Sequence, residues 1–178
     1  SDAPVNDGQW HHVAAVKSGG FVQMYVDGQA TGAPFDASSL NLAGGPVDLG
    51  QNGSDIKYYQ GDLDDVRIWN SARTAQEIAD NFQTSSPEDL GSNLQGQYTF
   101  DGIGPDGVIL DQSGNGNDTA LGYGPPVATA QPTLDLDGSN DFVEITSGIP
   151  TGMSQITIAA WINPDSTGGT NAIFANGP

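Results

Sequence analysis

Residues 11–28 read "HHVAAVKSGGFVQMYVDG". Two apolar runs, 11–17 and 21–28, flank Ser18-Gly19-Gly20, which is the pattern of a β-hairpin. In the second run Phe21, Gln23 and Tyr25 share one face and Val22, Met24 and Val26 the other, the period of two that a strand imposes. The same reading extends outward to "PVDLGQ" (46–51), "GDLDDVRIWN" (61–70), "LQGQYTFDG" (94–102), "PTLDLDG" (132–138), "DFVEIT" (141–146) and "ITIAAWINP" (156–164). These runs are short, and nearly all end in Gly, Pro, Asn or Asp. The 25 glycines and 11 prolines concentrate between them, so the spacing predicts an all-β sandwich or barrel. One segment breaks the pattern. In "TAQEIADNF", Thr74 and Glu77 form a capping box, and Ile78 and Phe82 lie four apart on one face. A two-turn helix over the end of the sheets is predicted there. After it, "QTSSPEDLGSN" (83–93) is polar and patternless, and reads as a linker.

Bulk properties narrow the function. The chain has 178 residues, with 22 acidic and 4 basic side chains and a formal net charge of −18. Such a charge repels nucleic acid and anionic membrane surfaces and attracts cations. Cysteine is absent, which removes disulfides and thiolate metal sites. No apolar run approaches the length of a membrane span. A chain that starts at Ser1 reads as a piece of a longer protein, with any targeting signal outside it.

The stretches "NDGQWHHVAAVKSGGFVQMYVDGQATG" (6–32) and "GDLDDVRIWNSARTAQEI" (61–78) resemble the second half of a laminin-G-like domain, a jelly roll of the concanavalin A-like lectin and glucanase type. "LQGQYTFDG", "ILDQSGNGNDTALG" (109–122), "LDLDGSNDFVEI" (134–145) and "ITIAAWINPDSTGG" (156–169) resemble the first half. The resemblance implies a jelly-roll sandwich of two antiparallel sheets with one short helix. It also implies boundaries: a C-terminal-type half over 1–85, a linker over 86–92 and an N-terminal-type half over 93–178. The halves stand in swapped order, and a typical member has another strand pair between "NAIFANG" and "DGQWHHV". Two arrangements satisfy this order. Either the piece spans the junction of consecutive jelly rolls in a tandem array, or it is a permuted domain whose halves fold back on each other. In an array, neighbouring copies supply missing strands by strand addition, as in a fibre or stalk at a cell surface.

The loop "DQSGNGND" (111–118) carries no apolar and no cationic side chain. It offers oxygens at alternate positions, Asp111, Ser113, Asn115 and Asn117, with Gly114 and Gly116 allowing tight curvature. Hard cations such as calcium take six to eight oxygen ligands. The start resembles an EF-hand loop, but the twelfth position is Gly122 instead of Glu and strands flank it, so carboxylates must come from elsewhere. The resemblance implies that the first strand (95–101) pairs with the last (62–69). That brings Asp101 near Asp62, Asp64 and Asp65, and the family's metal carboxylate matches Asp64 or Asp65. The expected site is one calcium held by Asp111, Asn115 or Asn117, Asp101 and one of Asp64 and Asp65. The competing reading is a glycine-rich turn whose Asn and Asp bond their own backbone. In "LDDV", Leu63 and Val66 both want the interior, so the acidic pair straddles a pleat or a bulge. The second acidic cluster, 135–142, reads as a strand entering a hairpin.

Catalysis finds little support. His11 and His12 are consecutive in a strand and point to opposite faces, which forbids a two-imidazole metal site. A structural role is expected for them. The paired glutamates of the glucanases have no counterpart around Glu77, Glu88 or Glu144. Trp10, Trp69 and Trp161 lie in apolar strand patterns and are expected in the core. Tyr58 and Tyr59, in a turn-rich stretch, are the candidates for stacking on a sugar. The expected protein is a non-enzymatic, calcium-stabilised adhesive or structural module, extracellular or on a cell surface, whose partners are neighbouring copies. The alternative is a carbohydrate-binding lectin module, possibly appended to a secreted enzyme.

Overall fold

The computed structural model describes residues 4–40, 46–52, 57–84, 90–102, 107–121, 133–145, 153–165 and 173–176. Its strands form two antiparallel sheets packed face to face, with one short helix on the outside of the larger sheet. The fold is the all-β jelly-roll sandwich that the sequence predicts.

The opening hairpin forms as read. Strands β1 (His11–Ser18) and β2 (Phe21–Val26) pair from Ser18↔Phe21 to Val13↔Val26, turning at Gly19-Gly20. Strand β3 (Gln29–Asp36) joins through Asp27-Gly28, both with positive φ, the two-residue turn that fits right-handed strand twist. Only glycine suits position 28, because a side chain there would press on the Phe82 ring.

The smaller elements are β4 (Val47–Leu49), β5 (Gln51–Asn52), β6 (Lys57–Tyr58), β8 (Leu94–Tyr98), β9 (Val108–Ile109), β10 (Thr119–Leu121), β11 (Leu134–Asp137), β12 (Val143–Ile145) and β14 (Phe174–Asn176). Two long strands anchor them, β7 (Gln60–Trp69) and β13 (Gln155–Pro164). The large sheet runs β11-β7-β13-β1-β2-β3. Strand β8 shares the β11 side of β7, pairing with Val66–Trp69 while β11 takes Gln60–Leu63. The smaller sheet runs β14-β4-β12-β10-β9. Residues 1–85 and 93–178 therefore interleave: β13 lies between β1 and β7, and β4 lies between β12 and β14.

The expected irregularity in "LDDV" is a bulge. Between Arg67↔Ala159 and Asp64↔Trp161, Asp65 and Val66 stand against Ala160 alone, and Asp65 takes φ +46°. The extra residue lets Leu63 and Val66 both face inward, and both are fully buried. At Gly61 any Cβ would lie 2.4 Å from the Asn163 carbonyl oxygen, so β7 and β13 approach there as only glycine permits.

Two apolar clusters result. The larger fills the space between the sheets, with Leu49, Tyr59, Leu63, Tyr98, Leu136 and Ile162 at its centre. The smaller lies on the outer face of the large sheet under helix α1 (Ala75–Asn81), and includes Trp69, Ile78 and Leu90. The predicted capping box is present at Thr74 and Glu77. Residues 85–89 of the expected linker lie outside the described residues, but its end is not free of the core. Leu90 is fully buried, and its carbonyl accepts from Trp69 Nε1 at 3.1 Å. Trp69 is buried as expected, whereas Trp161 is only partly buried and lies outside both clusters, its ring 5.7 Å from the His12 ring and 6.2 Å from that of Phe82. Trp10 differs: it is 38% exposed, standing just before β1.

Candidate functional site

The loop 111–118 lies along the outer edge of β8, the edge that faces away from β7. Several of its polar groups bond to that edge. Gln112 N–H donates to the Gln97 carbonyl at 2.8 Å, and Gln97 N–H donates to Asp111 Oδ1 at 3.0 Å. The amide nitrogens of Asn115 and Asn117 donate to the carbonyls of Leu94 and Gln95 at 2.8 and 2.7 Å. Asp111 also accepts from Ser113 N–H, Ser113 O–H and Asn117 N–H, while Asp118 Oδ1 accepts from Asp111 N–H. The loop thus satisfies main-chain groups that a neighbouring strand would otherwise take. Gly114 and Gly116 have φ of +85° and +74°, which supplies the curvature. This is the reading in which Asn and Asp bond nearby backbone, extended to a strand edge.

The other expected ligands sit on the far side of Gln97. Asp65 forms a buried two-point pair with Arg67, through Nε at 2.9 Å and through Nη2, and accepts from Gln97 Nε2 at 3.2 Å. Arg67 also donates to the Asn81 carbonyl at 3.1 Å, tying the bulge to the end of α1. Asp64 accepts from Asp65 N–H at 2.7 Å. Burial raises its pKa to about 6, and the charges of Asp65 and Asp101 push the same way. Asp62 is also raised, by burial first and then by Asp135, directly opposite it on β11, and by Asp165.

The structure therefore brings Asp64, Asp65 and Asp101 into one neighbourhood and places Asp111, Asn115 and Asn117 in another, with Gln97 touching both. Among the described residues, no three carboxylate or imidazole side chains group as a metal site requires. In this structure the donors expected to share a calcium already have protein partners. Asp65 is already compensated by a guanidinium, and both oxygens of Asp111 already accept hydrogen bonds. Tyr59 also departs from expectation. It is fully buried, and its hydroxyl donates to the Asp62 carbonyl at 3.3 Å, so it cannot meet a sugar. Tyr58, half-buried on the small ribbon of β5 and β6, is the member of the pair turned outward.

The histidines take opposite faces as predicted. His11 lies between Asp27, at 2.8 Å from Nδ1, and Asp7, at 3.1 Å from Nε2. The Asp27 bond raises its pKa, with Asp7 helping. Its contribution to stability is complete below pH 6.5 and is lost as pH rises through the raised value. His12 is buried against Phe82 and Trp161, and burial, aided by the Arg67 charge, lowers it to about 4. It folds neutral, so stability is lost as pH falls from about 6.5 towards 4.

Residues 1–79 match the laminin-G-type family model described as the concanavalin A-like lectin/glucanases superfamily. No curated protein and no solved structure gives a significant match. The family match covers β1 to β7 and most of α1, which includes the bulge, Arg67 and the His11 and His12 positions. Two parts of this site escape sequence reasoning. Arg67 carries one signal, being one of only four basic side chains and standing two residues from Asp65. Gln97 carries none, because nothing in "LQGQYTF" marks the glutamine that meets both acidic stretches.

Proposed function

We propose that the chain is a non-catalytic adhesive or structural module of an extracellular surface protein, repeated in tandem. One observation carries this reading. The first strands and the last strands complete the same sheets, so in a repeated sequence identical pairings can form within a copy or between consecutive copies. His11 is held between Asp7 and Asp27, and His12 is packed against the Phe82 and Trp161 rings, which agrees with a non-catalytic role. Calcium stabilisation rests on donor chemistry alone and is not needed for the pairing. The test compares one copy with a chain of two consecutive copies by analytical ultracentrifugation and thermal melting. A cooperative melting transition that rises in the two-copy chain, with exchange into dimers at high concentration, is expected. Two copies that melt independently at the single-copy temperature would overturn the reading.

A lectin role has one observation in its favour, the outward Tyr58. Saturable glycan binding that Tyr58→Ala removes would establish it, whereas Tyr59→Ala would act through stability because Tyr59 is core.

A further inference from the structure

Strand β1 is entered through residues 4–10, which belong to no strand and are largely exposed. Val5 packs this segment against the larger apolar cluster, and Asp7 ties it to His11, with Oδ1 at 3.1 Å from the ring Nε2. The other ring nitrogen, Nδ1, stands 2.8 Å from Asp27 Oδ2 in the turn between β2 and β3. From the neighbouring strand β13 the residue opposite His11 is Ile162. Asp7 and Asp27 are therefore the charged groups that meet the ring among the described residues.

A neutral imidazole carries one N–H and one lone pair, so it donates to one carboxylate only. Both contacts are satisfied together by the imidazolium alone. The two carboxylates are not equally fixed. Asp27 Oδ1 also accepts from His12 N–H at 2.9 Å, and Asp27 N–H donates to the His12 carbonyl at 2.8 Å. Asp7 accepts from Gln9 N–H at 3.0 Å, a bond within its own turn, and its side chain is 45% exposed.

We propose that His11 is a proton-operated clasp on residues 4–10: the imidazolium holds Asp7 and Asp27 together, and the neutral ring keeps Asp27 and releases Asp7. The proton stays on Nδ1 because Asp27 is the nearer and better anchored acceptor. The Nε2 lone pair then faces the Asp7 oxygen, and the two repel. With the His11 pKa raised by its bond to Asp27, the clasp is closed below pH 6.5 and opens as pH rises through the raised value. It operates within one copy, whether or not consecutive copies pair.

The test follows the whole chain by NMR from about pH 5.5 to about pH 8.5, a range that brackets histidine titration. Ring nitrogen shifts report the protonation and tautomer of His11, and amide relaxation reports the order of residues 6–9. Residues 6–9 should be ordered at the acid end and mobile at the alkaline end, changing with the His11 midpoint, which should lie above 6.5. The neutral ring should carry its proton on Nδ1. Asp7→Ala should lower that midpoint and leave 6–9 mobile throughout, and His11→Gln should abolish the pH dependence. Order that is the same at both ends overturns the proposal, as does a neutral ring protonated on Nε2. An unmoved midpoint in Asp7→Ala, or a pH dependence that survives His11→Gln, overturns it too. Should His11→Gln misfold, Asp7→Ala, at an exposed position, decides by itself.

Discussion

The loop 111–118 and the strand stretch 62–65 are both rich in carboxylates, and their carboxylates end in opposite circumstances. In the loop, Asp111 accepts from three main-chain N–H groups and one hydroxyl, and Asp118 accepts from another N–H. In the strand, Asp62 and Asp64 stand half-buried beside other acids, and their pKa values rise. Asp65 is turned by the bulge to Arg67, which pairs with it. The difference teaches that acidic density alone does not identify a cation site. A turn exposes N–H donors that a carboxylate can use, whereas in a sheet those donors are spent on the neighbouring strand.

The comparison can be broken at four points. The largest effect is expected from Arg67→Leu, which leaves the Asp65 carboxylate buried without its cation. Urea unfolding should show a loss of about 3–5 kcal/mol, and adding Asp65→Asn should recover most of it. Next comes Asp111→Ala, expected to cost about 2 kcal/mol and to speed hydrogen exchange at the Gln97 amide. If Gln97 exchange does not change, the loop is not the cover of β8.

Asp64→Asn should have the opposite sign. A raised carboxylate pKa means that stability falls as pH rises from about 4 to 6, since the folded chain holds a proton the unfolded chain releases. Removing that charge should stabilise the protein by about 1 kcal/mol at pH 7, after allowance for the solvent reaching this half-buried group. The gain should vanish as pH falls towards 4. The smallest effect is expected from calcium at matched ionic strength, which should leave Tm within about 1 °C. A saturable rise in Tm that both Asp111→Ala and Asp64→Asn abolish would unite the two stretches around one ion and end the contrast between them.

Much of this fold is written locally. The Gly19-Gly20 and Asp27-Gly28 turns, the Thr74–Glu77 cap and the conflict in "LDDV" each involve residues within a few positions of one another, and each forms as its sequence directs. The site is less legible. "DQSGNGND" announces oxygen and nitrogen groups, but a carboxylate ready for calcium and one ready for an N–H look identical in one dimension. Tyr58 and Tyr59 show the same limit. They are neighbours in sequence, yet one is in the core and the other looks outward, because the turn before β7 sets which face each receives.

By itself the sequence determined strands, turns, the helix cap and the bulge, because hydrophobic period and turn chemistry act over short stretches of chain. Tertiary structure alone decided that Gln97 stands between the two acidic stretches and that Arg67 neutralises Asp65. Those outcomes depend on which strands become neighbours, and electrostatic and hydrogen-bond partners are fixed by distance in space instead of distance along the chain.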